Sequence, residues 1–366
     1  MTRKEIISLI LLALVILVGI YKFVTAEYEY SDSKYLNYTP TLQGKNLKTE
    51  IYILSDKKNT ASLTEEAFSY MQGLIYKLSD DYESSQVYKI NNSNGVKYPM
   101  DEDIFNLLEM SKEMYELTEG RFDISVKPLY DLWDFDSAER GNDAYNKTLI
   151  PDSLEVYTKL KLVDFSKIEY NRDYIILPQG MQITFGGIAK GYVVDKTVEF
   201  LLSKGAKAGY VDQTSSIRYF GPINKPITLG IQHPREYSKV IAELTNLNDM
   251  AIATSGDYQQ FFDVGKTRYH HIINAKTGYP CHNNVSVTIL SGSAFKADAL
   301  STALFLIDDE EAISYLKDFN DTEAIIYNDT FDEVNQTWDA ISVKTEKTEL
   351  SKGMEFYLKN EYIDGE

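Results

Sequence analysis

The chain has 366 residues, with 37 Lys plus Arg against 55 Asp plus Glu, a formal net charge of −18. That length suffices for a large domain with a full core, and so acidic a chain, lacking any basic stripe, is excluded as a nucleic-acid binder. One cysteine, Cys281, and four histidines exclude an intramolecular disulfide, a Cys-cluster zinc site and an iron–sulfur centre. They leave open a hard cation held by oxygen ligands.

Arg3 and Lys4 precede an almost wholly apolar run, Ile6 to Val24, and Glu27, Glu29 and Asp32 follow it. At ~1.5 Å rise per residue such a run nearly crosses a hydrocarbon core. The charge asymmetry predicts residues 1–26 to be an N-terminal transmembrane helix, a single-pass anchor in the cell membrane with the remaining chain extracytoplasmic. Val24-Thr25-Ala26 also fits a peptidase site, so a cleaved signal peptide is the alternative. No Cys follows the run, which excludes a lipobox.

Residues 27–46, polar and tyrosine-rich, read as a tether. Ile51 and Ile53 predict a strand, and the apolar spacing over Leu63 to Leu78 and Ile104 to Leu117 predicts helices, the second stopped at Gly120. Pro151 to Leu160 reads as another helix. Tyr174–Leu177 and Met181–Phe185 read as short strands joined at Pro178-Gln179-Gly180, and Val193–Ser203 as a helix ended by Gly205. Residues 329–366 form a charged tail, either an edge element or a free end. Helices mixed with short strands in no strict order predict a mixed α/β (α+β) fold.

Four constellations carry chemistry. Gly186-Gly187-Ile188-Ala189-Lys190-Gly191 sits between a strand and an amphipathic helix, where glycines and unpaired N–H groups suit an anion and Lys190 adds a positive charge. A tight strand–helix turn would look the same. Asp298 and Thr302 stand at i and i+4, which on a helix puts a carboxylate and a hydroxyl on one face, a partial oxygen site for Mg2+. A helix cap is the alternative.

Tyr269-His270-His271 places two histidines side by side. If they lie on a strand, at most one faces a given site, where a neutral imidazole suits proton acceptance from a hydroxyl. Thr254 and Ser255, in Ala253-Thr254-Ser255-Gly256-Asp257-Tyr258, read as a polar turn that either binds a phosphate or flavin edge or caps a following helix. There is no Gly-x-Ser-x-Gly elbow, Walker A loop or His-Glu-x-x-His motif, so the common hydrolase, P-loop and zincin readings have no support.

Taken in order with Ser85 to Asn91 and with Gly120-Arg121-Phe122-Asp123-Ile124-Ser125-Val126, Pro128-Leu129 and Leu132-Trp133, these segments resemble the ApbE family, the FAD:protein FMN transferases. The resemblance spans roughly residues 47–328. It implies an ApbE-like fold with FAD held in a cleft between subdomains. It also implies Mg2+ on the pyrophosphate and transfer of FMN to a Thr or Ser hydroxyl of an acceptor protein, with release of AMP. Carried over by position, the metal ligands are Asp298, Thr302 and the main-chain oxygen of Ala189. His271 is then the general base, with Asp298 the other catalytic position. Lys190, Thr254, Ser255, His271 and Thr277 contact the flavin nucleotide.

The acceptors implied are extracytoplasmic flavoproteins or subunits of membrane redox complexes. Two alternatives accompany this expectation: a degenerate flavin-binding module without transferase activity, and an FAD pyrophosphatase in which water replaces the protein hydroxyl. The chain departs from the family pattern at Thr184-Phe185, where Asp-Leu is usual, and at Thr214-Ser215-Ser216, where a Gly-Gly turn is usual. Asn274-Ala275-Lys276 stands where the family's Asp-Pro begins.

Overall fold

The computed structural model describes residues 31–40, 46–56, 59–139, 141–223, 227–282, 284–317, 319, 321–328, 331–332, 337–338, 348–350, 354 and 357–361. The predicted span Ile6–Val24 lies outside them. Among the described residues no helix is long and apolar enough to cross a membrane.

An eight-stranded antiparallel sheet organises the chain: β1 (Ser31–Pro40), β2 (Asn46–Ser55), β3 (Ala206–Asp212), β4 (Ser216–Phe220), β5 (Ala251–Gly256), β6 (Asn284–Ser291), β7 (Thr322–Asn328) and β8 (Thr348–Leu350). The strands lie side by side in chain order. Side-chain alternation sends successive residues to two separate cores. Ala251, Ala253, Val287, Ile289, Ala324 and Ile326 enter the larger core. Ile252, Leu290, Ile325 and Tyr327 enter the smaller one on the opposite face. A three-stranded sheet, formed by Leu229–Gln232, Val240–Leu244 and Leu358–Glu361, closes that smaller core with Ile231, Ile241 and Leu244.

Five helices matter for the site: α1 (Thr60–Leu78), α2 (Glu102–Leu117), α3 (Lys127–Trp133), α4 (Ala189–Ser203) and α5 (Ala294–Phe305). α1 buries Leu63, Ala67, Met71, Leu74, Ile75 and Leu78, the spacing of one helical face. α2 is capped by Asp101, whose side chain accepts from Ile104 N, and Gly120 just beyond its end takes φ +83°. α5 is different. It is buried on nearly every side, with Ala297, Ala299, Leu300, Ala303, Leu304 and Phe305 at 1% exposure or less, so it runs through the large core rather than over it.

Three expectations change, and one open alternative is decided. Within the expected tether, Ser31–Pro40 is a strand paired with β2. Tyr35 packs on Phe68 while Lys34 and Leu36 face solvent, an alternation that one-sided polar packing hides in the sequence. Met181–Phe185 is not a strand. The Asn91 side chain takes the place of a neighbouring strand, donating to the Ile183 carbonyl at 2.9 Å and accepting its amide at 2.8 Å. Ala253–Gly256 is no turn but the end of β5 in mid-sheet, and no helix follows it. For the C-terminal region the edge-element reading holds among the described residues: it contributes β8 to the sheet edge, and Leu358–Glu361 pairs with Val240–Leu244. The strand expected at Ile51 and Ile53, the helices at Ser153–Leu160 and within α1, α2 and α4, and the strand at Tyr174–Ile176 are all present.

Candidate active site

α4 begins without a local cap. Its N-cap residue, Ile188, has no side chain able to accept from the first turn; the Ala189 amide reaches the Phe185 carbonyl at 2.8 Å, and the buried Gly191 amide needs a partner from elsewhere. Asp298 of α5 provides it: Oδ2 accepts the Gly191 amide at 2.9 Å, and Oδ1 lies 3.8 Å from Lys190 Nζ. The two helices approach this closely because residue 191 is glycine. A Cβ there would overlap the Ala294 carbonyl and come within 2.6 Å of Asp298 Cβ. The third glycine of the motif thus serves helix packing, while Gly186 and Gly187 line the cavity described below.

A second carboxylate locks the same crossing. Asp195 of α4 accepts from Ser293 Oγ at 2.7 Å and from the amides of Ala294 and Phe295, so it caps α5 from the neighbouring helix. One turn into α5, Asp298 is buried. Burial pushes its carboxyl above the usual carboxylate range, and the Lys190 charge opposes that shift. Thr302, one turn further, donates to the Gly187 carbonyl at 2.9 Å and lies 3.1 Å from Ser255 Oγ. The Asp298–Thr302 pair therefore does share one helix face, and Ser293 together with Asp195, not Asp298, caps the helix.

A cavity of about 520 Å³ opens between α3, the start of α4, the ends of β4 and β5, and the strand Leu229–Gln232. Lys190, Thr254, Ser255, His271 and Thr302 all line it. Asp298 and Ala189 are not among the lining residues; both are buried, next in sequence or one helical turn away from the lining residues Lys190 and Thr302. Thr277 is not brought in: it lies exposed in the turn Asn274–Gly278, its hydroxyl 3.4 Å from the Asn274 carbonyl.

The histidine pair divides at a strand end: His270 is the last residue of the strand Thr267–His270, and His271 follows it in a bend. His270 is buried, bonded through Nε2 to the Cys281 carbonyl and held well below its ordinary pKa by burial. His271 faces the cavity, with its amide 3.0 Å and its Nδ1 3.3 Å from the Gln260 carbonyl.

Sequence reasoning missed Tyr130, Gln232, Tyr258, Gln259 and Gln260, which also line the cavity. Tyr258, Gln259 and Gln260 directly continue the Thr254-Ser255 stretch, whereas Tyr130 and Gln232 come from distant segments, and no spacing signal links the three groups. Tyr130 Oη donates to Gln260 Oε1 at 2.6 Å. The Phe122-Asp123 motif proves to be wall structure: the Asp123 carboxylate accepts from the amides of Ser125 and Phe165, both at 2.8 Å. Trp133, fully buried, donates from its indole to the Gly278 carbonyl. Thr214 and Ser215 border the cavity, and Thr214 holds φ +63°.

Beside Thr184, another lining residue, Asp80 is buried with Lys127 Nζ 3.5 Å away. Burial raises its carboxyl to about 6 despite that charge. Lys127 also meets Asp131 at 2.8 Å and Asp81 at 3.6 Å.

Fold and site together define a mixed α/β protein whose oxygen-rich cleft lies where two interlocked helices meet the ends of an antiparallel sheet. The chain belongs to the ApbE family, whose model matches residues 44–326. It is 28% identical over 287 residues to a Haemophilus influenzae protein named FAD:protein FMN transferase, a match covering 75% of this chain and 82% of that one. A Treponema pallidum protein of the same name is 26% identical over 302 residues, covering 77% and 81%. The crystal structure of an ApbE protein from Thermotoga maritima, 28% identical, superposes with a TM-score of 0.75 over 90% of this chain and all (100%) of that one.

Proposed function

We propose that this chain is an FAD:protein FMN transferase, acting on FAD and on a Thr or Ser hydroxyl of an acceptor protein. The observation that carries the reading is the convergence of Lys190, Thr254, Ser255, His271 and Thr302 on one cavity in a member of this family. In the reaction the acceptor oxygen bonds to the FMN-side phosphorus of FAD, the phosphorus–oxygen bond to AMP breaks, and AMP leaves with the electron pair.

The hydroxyl proton passes to His271. The Gln260 carbonyl beside Nδ1 favours the tautomer protonated there, which leaves Nε2 as the basic nitrogen. Lys190, held at 3.3 Å on the Gly186 carbonyl, sets a positive charge at the α4 N-terminus, where the helix dipole also favours a pyrophosphate. Thr254 and Ser255 offer hydroxyls along the same wall.

The residues fit a divalent cation. Among the described residues no cluster of three or more His, Cys, Asp and Glu side chains could hold a metal, so a cation here draws on one carboxylate with hydroxyl and carbonyl oxygens. Asp298 commits Oδ2 to Gly191, and its Oδ1 faces Lys190 at 3.8 Å, beyond hydrogen-bond length. Asp298, Thr302 and the Ala189 main-chain oxygen would hold Mg2+, hard oxygen donors of the kind this ion prefers. When bound, the ion neutralises pyrophosphate charge.

The apolar run Ile6–Val24 supports placing this domain outside the cytoplasm on a membrane anchor, within reach of extracytoplasmic flavoproteins or membrane redox subunits. The test incubates the full chain with FAD and Mg2+, with and without a Thr-containing acceptor peptide, and reads AMP and peptide mass. Peptide-dependent AMP release with an FMN mass increment is the expected result. AMP without the adduct identifies a pyrophosphatase, and FAD binding without AMP a binding module.

A further inference from the structure

The cavity has a bridge that the family motifs do not describe. Tyr130 lies between Pro128-Leu129 and Leu132-Trp133 on α3, and Gln260 lies in the turn after β5, 130 residues away in sequence. The tyrosine hydroxyl donates to the Gln260 side-chain oxygen at 2.6 Å, and both residues line the cavity. The main-chain carbonyl of the same Gln260 receives the His271 amide at 3.0 Å and faces His271 Nδ1 at 3.3 Å. One residue therefore joins the α3 wall to the ring that faces the ligand.

The geometry points to Tyr130 and Gln260 as positioning residues that set the tautomer and orientation of His271 across the cavity. The inference rests on the reading of His271 as the base. A carbonyl fixes a histidine tautomer only if it stays in place, and Gln260 sits in a partly exposed turn whose own side chain would otherwise be free to rotate. Tyr130 removes that freedom. Burial, followed by the nearby carboxylates Asp136, Asp80, Asp81 and Asp131, pushes the Tyr130 phenol far above its ordinary range, so it remains a hydrogen-bond donor throughout the working pH range. Next to it His270 is fixed separately, on the Cys281 carbonyl, so the bridge acts on one histidine of the pair.

The experiment labels the full chain with 15N-histidine and reads the ring tautomer of His271 from two-bond nitrogen–proton correlations, the signal being assigned by its loss in His271→Asn. The parent is expected to hold His271 mainly protonated on Nδ1. Tyr130→Phe and Gln260→Leu should each shift it toward the Nε2-protonated form that free imidazole prefers. Gln260→Glu, which keeps an acceptor for Tyr130, should restore the parent pattern.

In turnover with FAD, the two disrupting variants should lose about tenfold in kcat, a fraction of what a general base contributes, with KM for FAD within about twofold. An unchanged His271 tautomer in both Tyr130→Phe and Gln260→Leu overturns the inference whatever the activity. If the tautomer shifts but the parent releases no AMP from FAD, the positioning stands and the transferase reading falls. Should Tyr130→Phe fold poorly, Gln260→Leu at its partly exposed turn carries the same measurement.

Discussion

Asp298 caps a helix that is not its own: its Oδ2 accepts the amide of Gly191, in the first turn of α4, at 2.9 Å. The contact exists because position 191 carries no Cβ, and it makes a strong demand on that residue. Gly191→Ala would drive a methyl group into the Ala294 carbonyl. Overpacking of this kind costs about 1–3 kcal/mol, more than the ~1 kcal/mol by which alanine outranks glycine within a helix. A lower urea midpoint for Gly191→Ala, with weaker FAD binding, is the expected outcome. An unchanged midpoint would show that the two helices can separate freely.

Removing the carboxylate itself tests the metal reading. Asp298→Ala should lower Mg2+-dependent AMP release by at least about a hundredfold, the usual cost of losing a group that stabilises developing charge. Undiminished release by a folded Asp298→Ala protein over a Mg2+ titration would remove this residue from the ligand set.

Asp80 gives a pH signature. Its carboxyl is raised by burial from the ordinary 3.8 to about 6, with Lys127 opposing. The folded state thus holds this proton more tightly than the unfolded chain does. The group's contribution to stability is complete below about pH 4 and is lost as pH rises through about 6. Asp80→Asn removes that dependence. The stability of the parent relative to Asp80→Asn should therefore fall by about 2–3 kcal/mol between pH 4 and 7, read from urea titrations of both proteins. A constant difference across that range would place an ordinary carboxylate at position 80.

Thr214 is a β-branched residue at φ +63°, held by its hydroxyl on the Lys48 carbonyl at 2.9 Å and by its amide on Asp212 at 2.8 Å. Left-handed backbone costs such a residue ~1–2 kcal/mol. Thr214→Gly relieves that cost but gives up a hydrogen bond and adds chain entropy, so stability should stay within about 1 kcal/mol of the parent. The turn borders the cavity, and Thr214→Gly combined with Ser215→Gly should bind FAD more tightly, measured by fluorescence quenching in Mg2+. Equal affinity in parent and double variant would mean that the turn does not limit the cleft.

Cys281 is buried, with its thiol 3.5 Å from the Phe305 carbonyl. Cys281→Ser is expected to leave AMP release at the parent level, because the chemistry described needs no thiol. Loss of release in a folded variant would contradict that account.

The parts of the site that were legible in the sequence obey short-range geometry. The i, i+4 spacing placed Asp298 and Thr302 on one face of α5; His270 and His271 do part, but at a strand end, since His271 lies in the bend after Thr267–His270 rather than on the strand. Where a side chain replaces a backbone partner, local pattern misleads. Met181–Phe185 has strand composition, but Asn91 satisfies Ile183, so no ladder forms. Ala253–Tyr258 has turn composition, yet Ser255 is a strand residue facing Ser301 and Thr302 of α5, a burial its polarity conceals. Tyr130 and Gln260 meet only through the tertiary fold, and no periodicity links them.

The Asp195 clamp on the first amides of α5 has a mechanical consequence. Because one carboxylate of α4 fastens the beginning of α5, and Gly191 lets the helices touch, Lys190, Asp298 and Thr302 meet a ligand as a single rigid jaw. Any grip that tightens after binding must then come from the opposite jaw, the strand Leu229–Gln232 and the turn carrying Gln259 and Gln260. Slow amide exchange along the helix crossing, beside faster exchange in that turn that slows when FAD binds, would be the signature of a clamp with one moving side.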